Sequence, residues 1–193
     1  MDRRKFIKTG SAAASLFALN GGLGYANSSQ QQGKIKKHSF NLHYAPHFGM
    51  FKHHAGDDLI DQVRFMADVG FTAMEDNGMK GRSKDMQEKI AAEMARRNMK
   101  MGVFVAHRIS WREPNLTSGD RKSRDEFLKD IRGSVEVAKR VNATWMTVVP
   151  GHKDLRKNMG YQTAHVVEAL RRAAEILEPH GLVMVLEVLN FRN

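Results

Sequence analysis

Cysteine is absent from the 193 residues, which excludes disulfides, thiolate metal sites and cysteine nucleophiles. Any metal bound here must sit on oxygen or imidazole donors. No apolar run approaches the ~20 residues of a membrane-spanning helix. With 41% hydrophobic and 27% charged residues, the composition is that of a globular domain, and no membrane partner is expected. No Gly-rich phosphate loop follows the first strand-like run, because Tyr44-Ala45-Pro46-His47-Phe48-Gly49 lacks the G-x-G-x-x-G spacing. Also missing is a basic stripe with interleaved aromatics. The net charge is +10, yet its Lys and Arg residues are spread over several predicted helices, as Arg96-Arg97, Arg121-Lys122, Lys139-Arg140 and Arg171-Arg172. The reading is therefore no nucleic-acid partner.

What is present begins with an export segment. Asp2-Arg3-Arg4-Lys5-Phe6-Ile7-Lys8 is followed by the weakly apolar stretch Ala12–Leu23 and by Gly24-Tyr25-Ala26. Charge, apolar core and small residues three and one before a cut occur in the order of a twin-arginine signal peptide over 1–26, cleaved after Ala26. The expected location is periplasmic or otherwise exported. This route carries proteins already folded, often with a cofactor in place, which agrees with a metalloenzyme without requiring one. Residues 27–37 are polar and Gln-rich and read as a flexible linker.

From His38 onward, short apolar runs alternate with amphipathic helices. Strands are expected at His38–Tyr44, Phe71–Glu75, Lys100–Ala106, Thr144–Val149 and Leu182–Glu187, with starts 33, 29, 44 and 38 residues apart, the scale of a repeated βα unit. Between them, Leu59, Val63 and Met66 share a helical face. So do Met86, Ile90 and Met94, then Phe127, Ile131, Val135 and Ala138, then Val166, Leu170, Ala173 and Leu177. Gly70, Asn98, Asn142 and Gly181 stand one or two residues before a strand, where a left-handed residue closes the preceding helix. Ser123 with Glu126 is a candidate capping box for the third helix. The twelve methionines include Met66, Met86, Met94, Met101, Met146 and Met184 on these stripes and strands, and read as core filling. Near-continuous apolar strands joined by helices imply a parallel sheet covered by helices. A barrel and an open doubly wound sheet both satisfy that description, and the missing Gly-rich loop favours the barrel.

Functional groups of parallel α/β proteins gather at the carboxyl ends of the strands. Those positions carry His43 and His47, Glu75 and Asp76, His107, His152 and Glu187. The histidines and Glu75 are candidates for substrate binding. Glu187 stands out because it follows Leu182-Val183-Met184-Val185-Leu186, where a carboxylate is costly to bury unless paired or bound to a cation.

Tyr44–Phe51, Phe65–Phe71 leading to Glu75-Asp76-Asn77-Gly78, and above all Gly181-Leu182-Val183-Met184-Val185-Leu186-Glu187-Val188-Leu189-Asn190 resemble the hydroxypyruvate isomerase branch of the xylose isomerase-like TIM barrels. The similarity runs from about His38 to Asn190. It implies an α/β fold, an incomplete (β/α)8 TIM barrel of about five strands and four helices over 38–193. It also implies a divalent metal, Mg²⁺ or Mn²⁺, with Glu187 as a ligand and as one of two carboxylates that move a proton on a small sugar or hydroxy-carbonyl substrate. Such a proton is barely acidic, so a cation that stabilises the enediolate and a carboxylate that takes the proton are both needed. The usual Glu-Pro of this resemblance is Glu187-Val188 here.

The family's remaining ligands, an Asp, a His and a second Glu on later strands, have no counterpart before Asn193. A complete barrel typically takes about 250 residues. The expectation is thus a truncated barrel, inactive by itself, whose open strand edges would make it aggregate, form a homo-oligomer or depend on further sequence. Two other readings are an abasic-site endonuclease-like barrel, which would exploit the positive charge, and an exported noncatalytic binding module that keeps the fold without the site.

Overall fold

The computed structural model describes residues 36–189. The expected twin-arginine segment, most of the expected linker and Asn190 lie outside the described residues. After a short helix α1 (Lys52–Ala55), four longer helices alternate with four short strands: α2 (Leu59–Val69), β1 (Ala73–Met74), α3 (Lys84–Arg96), β2 (Lys100–Met101), α4 (Arg121–Val141), β3 (Trp145–Val148), α5 (Met159–Leu177) and β4 (Val183–Leu186).

Each longer helix starts on a polar side chain that accepts backbone N–H groups: Asp58, Ser83, Asp120 and Asn158. Such caps satisfy donors that the helix itself leaves unpaired. The expected capping box of Ser123 and Glu126 is corrected here. Asp120 caps α4, accepting from the Ser123 N–H at 2.7 Å, and its carboxylate also suits the positive end of the helix. The closing residues behave as their types predict. Gly70, Asn98, Asn142 and Gly181 have φ of 116°, 53°, 52° and 65°.

β1 and β2 pair in parallel, as do β3 and β4. Single parallel bridges, His47 to Glu75 and Val105 to Thr147, join these ladders to each other and to the preceding segment. Parallel neighbours therefore follow chain order without reversal. A doubly wound sheet reverses at its switch point, so this order is that of a barrel wall. The first expected strand is corrected: His38–Tyr44 forms no ladder, and the bridging backbone is at Pro46 and His47. Phe40 stacks on Phe71 with ring centroids 4.8 Å apart and meets the Tyr44 ring edge-on. These ring contacts, with the His38 N–H donating to the Val69 carbonyl, hold the segment by side chains and a single bond, not by a ladder.

Met74, Met101, Met146 and Val148 from the strands and Phe104 from the segment after β2 pack with Val63, Met66, Ile90, Met94, Ile131, Val135, Ala173 and Leu177 from the helices. Each fully buried side chain of this size contributes roughly 1.5–3 kcal/mol. The methionines read as core are core: Met66, Met94, Met101 and Met146 are buried, and Met86 and Met184 pack against the cluster. The other sheet face is open at the β3–β4 end, where Trp145, Val183 and Val185 are 42–46% exposed.

Gly70 and Gly181 separate two costs of a left-handed glycine. A Cβ on Gly70 would lie 2.0 Å from the His38 carbonyl oxygen, whereas one on Gly181 meets nothing within 4 Å. Gly181→Ala should cost about 1 kcal/mol, the conformational term alone, and Gly70→Ala more than about 2 kcal/mol because the His38 contact must also break. Urea denaturation of both variants checks this, and equal midpoints would refute it.

Candidate functional site at the strand ends

The ladder carries Glu187 one step beyond β4: its N–H donates to the Val148 carbonyl at 3.0 Å. Successive side chains of a strand point to opposite faces. Leu182 and Met184 pack against the core, so Val183, Val185 and Glu187 share the open face. Glu187 is exposed, and its carboxylate has no hydrogen-bond or ion-pair partner among the described residues.

His47 and Glu75 are brought together as partners of the first bridge, with the Glu75 N–H donating to the Pro46 carbonyl at 3.1 Å. Glu75 is half-buried, and small residues surround its base. A Cβ on Gly102 would stand 3.4 Å from that of Glu75 and 3.5 Å from that of Ala45, so Gly102 leaves room there. The His47 ring donates from Nδ1 to the neighbouring Phe48 carbonyl at 2.9 Å.

Asp76 is buried, and its carboxylate is taken up internally. It pairs with Arg82 Nε at 2.5 Å and Nη2 at 3.1 Å and accepts the Gly78 N–H at 3.0 Å. The Arg82 guanidinium also lies over the Phe48 ring, 4.9 Å from its centroid. This pair ties the loop after β1 to the loop after the first bridge.

His107 is 4% exposed and has both ring nitrogens occupied. Nε2 accepts the Val149 N–H at 3.1 Å, so Nδ1 carries the proton and donates to the Arg108 carbonyl at 3.0 Å. The ring meets Phe127 edge-on at 5.0 Å. Burial is the main cause that lowers its pKa below the ordinary histidine value, against the opposing pull of nearby Asp130. The imidazole is thus a neutral link between the ends of β2 and β3. His43 is placed apart from the other candidates: its Nδ1 lies 2.6 Å from Thr72 Oγ1, before β1 and at the amino end of the sheet. His152 is held through its backbone, whose carbonyl accepts the Thr117 hydroxyl.

Three residues that bind this rim together carry no periodic signal in the sequence: Arg82, Lys80 and Asp130. Lys80 Nζ donates to the Ala106 carbonyl at 2.7 Å and the Asp130 carbonyl at 2.8 Å, and pairs with Asp130 Oδ1 at 3.1 Å. Asp130 Oδ2 accepts the Arg108 N–H at 3.0 Å. Burial opposes the charge on Asp130, but the Arg108 N–H and the Lys80 ammonium outweigh it and hold its pKa low. The only advance hint is a lysine flanked by glycines, Gly78-Met79-Lys80-Gly81. A cavity of about 320 Å³ lies beside this cluster, bounded by His107, Ser110, Asn115, Phe127 and Asp130. Among the described residues, no three His, Asp or Glu side chains converge where a metal ion could be held.

A family profile described as Xylose isomerase-like TIM barrel matches residues 63–193. The chain belongs to that family. Solved structures agree on the fold of this xylose isomerase-like barrel. D-Psicose 3-epimerase with D-tagatose from Clostridium cellulolyticum H10 superposes with a TM-score of 0.62 at 17% identity, covering 79% of this chain and 54% of the epimerase. For 3-keto-D-glucoside 4-epimerase from E. coli the values are 0.58, 16%, 77% and 57%. For AP endonuclease, family 2, from Brucella melitensis they are 0.54, 18%, 70% and 51%. At these identities the likeness speaks for fold alone. The chain spans about half the length of the structures it matches. No curated protein sequence matches it.

The neutral His107 link generates a pH dependence. Its folded pKa lies below the value of about 6.5 expected for an unfolded chain. Unfolding therefore takes up a proton below that value, and the stabilisation, complete above it, is lost as pH falls. The urea midpoint should drop between about pH 7 and about pH 5.5. His107→Gln, which keeps an acceptor for Val149, should show a shallower drop, and equal slopes would refute the assignment.

Proposed function

We propose that this xylose isomerase-like barrel is a sugar isomerase or epimerase, acting on a small hydroxy-carbonyl substrate of the hydroxypyruvate or ketose kind. The observation that carries the reading is the position of Glu187, an unpaired carboxylate on the open face at the carboxyl end of a strand inside a barrel-ordered ladder. Active sites of such barrels lie at that end, and sugar epimerases are among its structural neighbours. In this role Glu187 removes or returns the proton on the carbon beside the substrate carbonyl. His47, Glu75 and His152 line the rim that receives the sugar hydroxyls, and His107 orients it from behind.

A divalent cation, Mg²⁺ or Mn²⁺, belongs to the same proposal, where it would stabilise the enediolate charge. Glu187 suits such a hard ion by donor type. The described residues supply no second and third donor beside it, so no step here runs through the ion. Read as a twin-arginine signal, residues 1–26 put the proposed activity in the periplasm or otherwise outside the cytoplasm. An endonuclease reading has the AP endonuclease neighbour in its favour, while the Lys and Arg pairs spread over several helices argue against it.

The test is solvent-deuterium incorporation into small ketoses and hydroxypyruvate by the full protein with Mn²⁺, alongside cleavage of abasic-site DNA. Glu187→Gln keeps shape and loses the base, and should slow exchange by at least about 100-fold. An unchanged rate removes Glu187 from the chemistry, and DNA cleavage without sugar exchange replaces the reading.

A further inference from the structure

The four described helices longer than eight residues share one position that the periodic apolar stripes do not explain. Four residues after the cap, α2 carries Gln62, α3 carries Gln87 and α5 carries Gln162. All three are 2–3% exposed. A buried carboxamide is costly unless its donors and acceptor are matched, and in each of these the Nε2 donors are matched by carbonyls of the loop that leads into its own helix.

Gln62 Oε1 accepts the Gly49 N–H at 2.8 Å, and its Nε2 donates to the Gly56 carbonyl at 2.9 Å. Gln87 Nε2 donates to the Met79 and Arg82 carbonyls at 2.9 and 3.0 Å, while its Oε1 accepts from Arg140 of the next helix at 2.5 Å. Gln162 Oε1 accepts the Asp154 N–H at 2.8 Å, and its Nε2 donates to the Asp154 and Lys157 carbonyls at 3.0 and 3.1 Å. The three loops so held carry His47, Glu75 and His152. On α4 the equivalent position is Arg124, which turns to Glu168 of α5 at 3.1 Å. The loop before α4 is held instead by Lys80, Asp130 and His107.

We propose that Gln62, Gln87 and Gln162 are a repeated positioning device, each clamping the backbone of one rim loop to the first turn of its helix. The consequence for catalysis rests on the sugar-site reading above. The clamp itself is a property of the loops and is read without substrate. Glutamine suits the task because it is neutral, so it can be buried beside a helix start, and it offers a donor pair to loop carbonyls and an acceptor for a loop N–H at Gln62 and Gln162 or for Arg140 at Gln87.

Gln162 decides the matter. In the full protein, Gln162→Met keeps volume and removes every polar contact. Gln162→Glu keeps an acceptor for the Asp154 N–H and loses both donors. Hydrogen exchange should show the Asp154 amide losing protection on the order of tenfold in Gln162→Met and less in Gln162→Glu. The Met146 and Val148 amides of β3 should be unchanged. Protection lost equally across β3 and α5 would make Gln162 a core-stability residue and overturn the proposal. Unaltered Asp154 protection would overturn it too. Where the wild type catalyses sugar exchange, kcat/KM should fall roughly tenfold to a hundredfold in Gln162→Met with the melting temperature nearly kept. A loosened loop with unchanged kcat/KM overturns the link to catalysis. An inactive wild type overturns the sugar reading alone, and the exchange arm still decides the clamp.

Discussion

Everything in this domain depends on a parallel hydrogen-bond ladder that passes from each strand segment to the next in chain order. Each βα unit buries one helical stripe against its own strand and passes its open edge to the following unit. The pleat then divides the residues without further instruction. Met146, Val148 and Met184 turn toward the helices, while Val183, Val185 and Glu187 turn the other way. A one-residue slip of β4 against β3 would exchange these sets, so the register of four paired residues is what puts a carboxylate on the open face at the carboxyl end of β4.

The strand ends are tied to one another as firmly as the strands. Arg82, held by Asp76, joins the second loop to the first through the Phe48 ring, Lys80 and Asp130 join the second to the third, and His107 joins the third to the fourth. These links use neutral imidazole, partly buried ion pairs and backbone carbonyls, groups that lose much when left alone in a low dielectric. The rim is therefore a connected polar girdle on top of an apolar layer. Among the described residues the Glu187 carboxylate is left uncommitted, as is that of Glu75. Helix charge is used in a parallel way below the rim, where buried Glu93 of α3 gathers Arg64, Arg96 and Arg97 within 2.9–3.3 Å. Part of the net positive charge is thus engaged between helices, in keeping with its diffuse distribution along the chain.

Helix positions were legible because they rest on local rules. The apolar stripes of α2, α3, α4 and α5 are buried where their period places them, and four left-handed residues close their units as Gly and Asn should. The boundaries that went astray did so for identifiable reasons. His38–Tyr44 has a strand-like composition, but its rings find Phe71 and its backbone finds no neighbour over its length. Ser123 and Glu126 match a capping box, yet Asp120 three residues earlier is the cap. The buried glutamines were visible as Asp58, Ser83 and Asn158 each followed by Gln four residues later. A polar residue on an otherwise apolar stripe draws notice only once its partners are seen.

By itself, the sequence determined the alternation of strand and helix, the residues that would fill the core, and the family, because periodicity, caps and local motifs act over a few neighbouring residues. It also singled out Glu187, since an acid at the end of five apolar residues needs a reason. Only the tertiary structure decided which strand-end groups are free and which are committed. Asp76 is a polar strand-end group and His107 a substrate-binding candidate in the chain; both are internal ties in the fold, and His43 lies at the opposite end of the sheet. Arg82 reaches Asp76 within one loop, but Val149 and Thr72 are brought beside His107 and His43 by strand order and register, which no local pattern encodes.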